Sequence, residues 1–369
     1  MGRYKVCVYA ISKDEEAFAD RWMDSAGEAD WVIVVDTGST DRTVELLRAR
    51  GAVVYEESIV PWRFDAARNV ALDRVPEEAD ICVSVDLDEA FEPGWRQKLE
   101  DAWQPGHTRA RFFYNWSHRE DGTPDRQFQI DKIHSRRGYR WVHPVHEVLQ
   151  YGDTDGEKMV YVEGLVLDHH PDSTKSRGQY LQLLELSVQE NPLDSQATFW
   201  LGREYSFYGM HEACIGTLKQ YLSLPSALWA EERSAAMRLI AQCCEAKGDG
   251  LEARSWLFRA VAESQDLREP YLAMAAFAYR EENWPLMYAM VKKGLSVTLR
   301  SGSYLAEPVC WGVAFYDYGA VAAFRMGLLE EARSSAAEAC AREPGNARLR
   351  SNLSLIDRQL QDEAKKAGP

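Results

Sequence analysis

Residues 81–91 read "ICVSVDLDEAF". Ile81, Cys82, Val83, Ser84 and Val85 have the character of a buried strand, and the run ends in Asp86, Leu87, Asp88 and Glu89. Ligands of open α/β sheets bind outside the carboxyl ends of the strands. Side chains alternate along a strand, so Asp86 and Asp88 are expected on one side with Leu87 opposed. Two carboxylates so placed suit a hard divalent cation, which prefers carboxylate oxygens completed by water and substrate phosphate. The plain alternative is that the acids cap a following helix or face water.

Outward from this stretch, strand and helix signals alternate. "KVCVYAIS", "ADWVIVVDTGS", "AVVYEES" and "ADICVSVDLD" read as strands. Between them, "DEEAFADRWMDSAG", "TDRTVELLRARG" and "FDAARNVALDRV" read as helices. Ser39, Thr40 or Asp41 can cap the second helix, and Gly51 ends it. This order predicts a mostly parallel sheet covered by helices. From about residue 108 to 170, aromatic, arginine and histidine residues crowd the chain, and antiparallel strands and loops are expected against the sheet's edge.

After about residue 175 strand signals vanish. "LGREYSFYGMHEACIGTLKQYL", "IAQCCEAKGDGLEARSWLFRAV" and "VAAFRMGLLEEARSSAAEACAREPGNA" each place a glycine four or five residues before a small alanine: Gly209 and Ala213, Gly248 and Ala253, Gly327 and Ala332. "FAYREENWPLMYAMVKKGL" reads as a degenerate fourth copy. The spacing is near that of helix-turn-helix repeats, so residues 190–360 are read as a tetratricopeptide-like array, with an irregular helical bundle as the alternative. The predicted domains are residues 1–174, α/β, and 175–369, all-α. In the joining stretch "DHHPDSTKSRGQYLQLLE", Lys175 and Arg177 either close over a diphosphate or belong to the exposed first turn of a helix.

The 369 residues are 46% hydrophobic, enough for two globular domains. A net charge of −15 argues against a generally basic, nucleic-acid- or membrane-binding surface. Seven scattered cysteines without zinc spacing read as reduced core thiols. "RYKVCVYAIS" alternates like a strand rather than a leader, and no apolar run reaches membrane-spanning length. A cytoplasmic protein is expected.

Three stretches carry chemistry. In "VVDTGSTDRT", Asp36 stands at a strand tip, Gly38 permits a tight turn, and the helix opening at Ser39 and Thr40 favours anionic groups. In "VPWRFDAARNVAL", Arg68 offers a planar fork suited to a diphosphate, or to a neighbouring carboxylate. The third is "SVDLDE" itself.

In this order the stretches resemble the family 2 glycosyltransferases of the GT-A fold, over about residues 4–105. "DTGSTDRT" looks like that family's nucleotide-binding strand end, "FDAARNVAL" like its Arg-Asn helix and "DLD" like its Asp-any-Asp metal motif. The resemblance implies a GT-A domain, a nucleotide-sugar donor such as a UDP-hexose, a manganese or magnesium ion, and transfer with inversion. It implies that Asp36 contacts the nucleoside, Arg68 the diphosphate, and Asp86 and Asp88 ribose and metal, with Ser39 a further donor-binding residue. Asp14 stands where the family often has asparagine, which puts the contact from that position in doubt.

"YRWVHPVHEVL" is similar to an aromatic-to-His-Glu segment of family 2 enzymes fused to such repeats, which implies that His146 lies near the metal. His169 and His170 compete for that role, and a core histidine is the alternative for each. An inverting transfer needs a base. Glu147 leads, Asp131, Asp168 and Glu89 are further candidates, and salt bridges with neighbouring arginines are the alternative. Similar enzymes fused to repeats imply a peptide or protein acceptor, and the repeats a surface for a homodimer. Other readings are a glycosyltransferase acting on a saccharide or on a modified base of phage DNA, or a non-catalytic repeat scaffold.

Overall fold

A computed structural model describes residues 2–154, 156–172 and 178–367. The chain divides into two compact units: residues 1–191 with 302–304, and residues 192–301 with 305–369. The boundary expected after residue 174 lies outside the described residues, and the helix Tyr180–Glu190, expected in the second domain, groups with the first unit.

The first unit opens with strictly alternating elements: β1 (Val6–Ser12), α1 (Glu16–Ala26), β2 (Trp31–Asp36), α2 (Thr43–Ala49), β3 (Val53–Glu56), α3 (Phe64–Asp73) and β4 (Ile81–Ser84). There follow β5 (Glu89–Phe91), α4 (Trp95–Ala102), β6 (Arg109–His118), β7 (Pro124–Ser135), β8 (Tyr139–Val142), β9 (Val148–Tyr151), β10 (Met159–His169) and α5 (Tyr180–Glu190). One eight-stranded sheet runs β3-β2-β1-β4-β7-β6-β10-β5. The first four strands are parallel, and β7 pairs antiparallel with both β4 and β6. β6, β7 and β10 therefore continue the same sheet rather than leaning on its edge, while β8 and β9 pair as a separate hairpin. A strand edge presents unpaired N–H and C=O groups, and β7 satisfies that of β4. The acid-bearing strand is thereby central.

Alternation along the strands builds two cores. Val6, Val8, Ile81, Val83 and Phe112 meet Trp22, Leu47 and Leu99 of α1, α2 and α4. On the other face Cys7, Tyr9, Val35 and Cys82 meet Ala71 and Leu72 of α3 and the β8–β9 hairpin through Tyr139, Trp141 and Leu149.

The second unit is helical, from α6 (Ser195–Phe207) through α7 (His211–Ser223), α8 (Ala230–Ala246), α9 (Gly250–Glu263), α10 (Glu269–Arg280), α11 (Trp284–Ser296), α12 (Ala314–Arg325) and α13 (Leu329–Arg342) to α14 (Ala347–Ala367). It is the expected tetratricopeptide-like array, and one turn recurs in it. Gly209, Gly248 and Gly327 stand two residues past the ends of α6, α8 and α12 with φ of 67°, 82° and 74°. The residue after each donates its N–H to the carbonyl five positions back, as in Met210 to Tyr205, Asp249 to Cys244 and Leu328 to Ala323. This is the Schellman closure, which needs a left-handed residue. The degenerate copy keeps the same closure, Asn283 to Ala278, with Glu282 at φ 51° in place of glycine. Five residues beyond the left-handed position stand Cys214, Ala253, Met287 and Ala332, all fully buried. In the first copy the buried equivalent is thus Cys214 rather than Ala213.

Candidate active site

The turns after β1 and β2 are tied together. Asp36 is buried at the end of β2. It accepts from Ser12 Oγ at 2.8 Å, Gly38 N at 3.0 Å and Ser39 N at 2.8 Å, and from the Ser39 hydroxyl. Asp14, at φ 52°, accepts from Thr40 N at 2.7 Å, and its own N–H donates to Ser39 Oγ at 2.8 Å. Asp41, one of the three expected caps, accepts from the N–H of Thr43, the first residue of α2. Asp36 and Ser39 therefore shape the loop.

The central acids part company. β4 ends at Ser84, and Asp86 to Glu89 form a turn closed by the Glu89 N–H on the Asp86 carbonyl at 2.9 Å. Strand alternation therefore does not govern Asp86 and Asp88. Asp86 turns towards α3, where the Arg68 guanidinium grips it at 2.7 and 3.1 Å. Lys132, towards the carboxyl end of β7, reaches the same carboxylate at 3.0 Å and Glu89 at 2.7 and 3.0 Å. Arg68 also binds Glu147 through Nε and lies over the Trp141 ring at 5.0 Å. Glu89 accepts further from the Tyr114 hydroxyl at 2.7 Å and the Asp86 N–H at 2.9 Å.

Electrostatics follow from these pairings. Burial would raise the Asp86 carboxyl, but Arg68 and Lys132 outweigh it and hold it well below the usual carboxylate range. Burial opposes charge on Arg68, and Asp86 and Glu147 more than restore it. Burial pushes Glu89 up against the pull of Lys132. Every group touching Glu89 is a donor, which suits its ionised form.

Asp88 faces the other way. His169 Nε2 lies 3.4 Å from its carboxylate, and the His170 N–H donates to its carbonyl at 2.7 Å. His169 Nδ1 lies 3.1 Å from the Trp116 carbonyl, and the ring stacks on the Trp116 indole at 4.6 Å. A carbonyl only accepts, so Nδ1 carries the hydrogen and Nε2 is presented to Asp88. Burial acts against charging the ring, and the Asp88 bond overrides it, so the pKa is raised.

His146, at φ 51°, packs its ring against Tyr180 at 5.7 Å. Glu147 lies beside it and is engaged by Arg68. Asp131 accepts from Arg111 at 2.9 Å, with Arg109 3.7 Å away. Asn69 is a structural tie, since its amide brackets the Trp141 backbone at 2.8 and 2.9 Å. Lys175 and Arg177 lie outside the described residues. Sequence reasoning passed over Lys132, Tyr114 and Trp116. The one local signal for Lys132 is a cation inside the strand "QIDKIHS", between the apolar Ile130 and Ile133.

Asp88 and His169 fit a hard divalent cation. They give a carboxylate and an imidazole whose Nδ1–H is held by the Trp116 carbonyl, a cation would take the place of the proton between Nε2 and Asp88, and both side chains are mostly buried. Among the described residues no group of three or more such side chains forms a closed cage. An open site of this kind suits a metal whose shell is completed by water and substrate phosphate.

Residues 8–147 match the family model described as glycosyl transferase family 2. Among solved structures, the chain is similar to YrrB, described as a TPR protein with an unusual peptide-binding site, at 14% identity and a TM-score of 0.40, over 48% of this chain and 84% of that one. It is similar also to MamA at 16% identity and 0.37, over 46% and 89%. PilF of Pseudomonas aeruginosa is similar at 12% identity and 0.36, over 49% and 72%. These structural likenesses are loose and assign no activity.

Proposed function

We propose that this chain, with its family 2 glycosyl transferase segment at residues 8–147, is a metal-dependent, inverting glycosyltransferase. Its donor is a nucleotide sugar of the UDP-hexose kind and its acceptor a peptide or protein. The observation that carries this reading is the pairing of Asp88 with His169 beside the Arg68–Asp86–Lys132 network, at the carboxyl end of the central strand β4.

Asp88 and His169 would hold the cation. When bound, that cation supplies neutralisation of the charge that develops on the leaving diphosphate. Asp86, held by two cations, keeps a fixed orientation and serves as the polar wall for the ribose. Asp36 and Ser39 shape the loop that the nucleoside meets. Arg68 presents a fork already engaged with Asp86 and Glu147, so its contribution to the diphosphate is electrostatic as well as directional. Trp116, 44% exposed, offers an aromatic face at the rim. A repeat array presents an extended surface, which suits a flexible peptide, and the net charge of −15 disfavours a DNA acceptor. No helix among the described residues is long and apolar enough to cross a membrane.

The test is release of nucleoside diphosphate from UDP-glucose, GDP-mannose and TDP-glucose with manganese, and with the metal chelated. Release that requires metal and disappears in Asp88→Asn supports the reading. Absence of release from all three donors, with no thermal stabilisation by any of their diphosphates, removes it.

A further inference from the structure

We infer that His118 accepts the proton of the acceptor nucleophile, with Asp168 and Asn115 as its positioning residues. This inference rests on the transferase reading and assigns the base within it.

β6 and β10 run parallel with Asn115 opposite Asp168. The pairing of β6 with β7 slips at Asn115, Ser117 and His118, and this irregular end brings His118 round to the same carboxylate. Asp168 Oδ1 accepts from Asn115 Nδ2 at 2.7 Å and lies 3.0 Å from His118 Nε2. The Asn115 amide is itself oriented, since its oxygen accepts from Gln127 Nε2 at 2.6 Å. A carboxylate only accepts, so His118 Nε2 carries the hydrogen and Nδ1 holds the lone pair. The His118 side chain is 25% exposed, enough to meet a substrate.

The dyad stands beside the acid turn. The His118 ring stacks on that of His170 at 6.0 Å and 14°, and the His170 N–H is bonded to the Asp88 carbonyl. The charged and titratable groups around it are Asp168 and His170 in contact, His169 and Arg21 of α1 acting on His170, and Arg119 just past β6 paired with Asp125 of β7. The expected bases are placed less well. Glu147 is bound to Arg68 and Asp131 to Arg111, so each carboxylate is already engaged by a guanidinium.

In the step, the acceptor oxygen or sulfur forms a bond to the anomeric carbon as the bond from that carbon to the diphosphate oxygen breaks. The electron pair of the broken bond leaves on the diphosphate. The acceptor proton passes to His118 Nδ1, and Asp168 holds the imidazolium through Nε2–H. The competing account is that the dyad only closes the end of the β6–β7 hairpin.

UDP-glucose with manganese, and water as the acceptor, is the probe. UDP release is followed from pH 5 to 9 for the full chain, His118→Gln and Asp168→Asn, together with UDP affinity by calorimetry and melting temperature. Glutamine keeps a donor towards Asp168 but takes no proton. The expected result for His118→Gln is unchanged UDP affinity, release lowered about 100-fold or more, and a changed dependence of the remaining rate on pH. Asp168→Asn admits the wrong ring tautomer and lowers release by more than about tenfold at unchanged UDP affinity. Release at the original rate and pH profile in His118→Gln overturns the assignment and leaves the transferase reading standing. Loss of UDP affinity and melting temperature together with rate, in both variants, marks the dyad as structural and also overturns it. If the unsubstituted chain releases no UDP but GDP-mannose or TDP-glucose is turned over, the same three proteins are compared on that donor. No release from any donor removes both readings.

Discussion

The Arg68 guanidinium holds the Asp86 carboxylate by two bonds of 2.7 and 3.1 Å while its Nε binds Glu147, so one buried cation joins α3, the turn after β4 and the segment preceding β9. Removing one partner of a buried ion pair leaves an uncompensated charge. Arg68→Ala is therefore expected to cost about 3–5 kcal/mol. Arg68→Lys keeps the charge but loses the fork and is expected to recover only part of that. Urea unfolding of the three proteins checks this; equal midpoints would show the network to be idle.

The divergence of Asp86 and Asp88 predicts that they fail differently. Asp88→Asn is expected to abolish stabilisation by manganese plus UDP without lowering the melting temperature of the metal-free protein. Asp86→Asn is expected to lower that melting temperature, because Arg68 and Lys132 lose their shared counter-charge. His169→Ala is expected to raise the manganese requirement by about 10–100-fold, a size borrowed from losses of groups that support metal ligands. His146→Ala is expected to leave it unchanged. A higher manganese requirement in His146→Ala with a normal one in His169→Ala would reverse the assignment of the metal-binding histidine.

His134 predicts a pH dependence of stability. Trp141 Nε1–H donates to the Tyr9 oxygen at 2.8 Å, the Tyr9 hydroxyl reaches His134 Nε2 at 2.8 Å, and His134 Nδ1 meets the Ser135 carbonyl at 2.8 Å. The ring is buried and neutral, and burial lowers its pKa from 6.5 to about 3. The unfolded chain takes up a proton that the fold refuses, so stability falls as pH drops from 6.5 towards 3. The slope from this group is roughly 1.4 kcal/mol per pH unit in that window. Unfolding of the protein and of His134→Gln at pH 7 and pH 5 should show a larger loss in the former; parallel losses would rule the histidine out as the source.

Glu282 occupies a left-handed position that glycine fills in the three sister turns. A non-glycine residue there costs on the order of 1 kcal/mol. Glu282→Gly is expected to stabilise the helical unit by a similar amount, and Gly248→Ala to destabilise it. Thermal loss of helical circular dichroism measures both, and a lower melting temperature for Glu282→Gly would show that the Glu282 side chain is stabilising.

Local patterns in the chain carried much of this architecture. The alternation from β1 to β4 was legible because each element is specified by its own periodicity. The glycine turns of the helical unit were legible because a left-handed residue is a property of one position. The degenerate copy was recognisable even with Glu282 in that position, since its flanking helices kept their apolar faces. Asp36, Arg68, Asp86 and Asp88 could be singled out because their types and order suggest chemistry.

Local sequence therefore specified the kind and order of the elements and the presence of acids at the tip of a strand. That this strand is central, and what its acids do, followed from packing. A strand that ends at Ser84 rather than running on frees Asp86 and Asp88 from alternation and sends them to opposite partners. Those partners come from α3, β7 and β10, distant in the chain and joined only by the strand order of the sheet. Lys132 becomes the companion of Asp86 and Glu89 because β7 pairs antiparallel with β4, and His118 meets Asp168 because the end of β6 slips in register. Periodicity reports which face a residue takes on its own element. An ion pair needs two elements brought within a few ångströms, and that distance is set by packing.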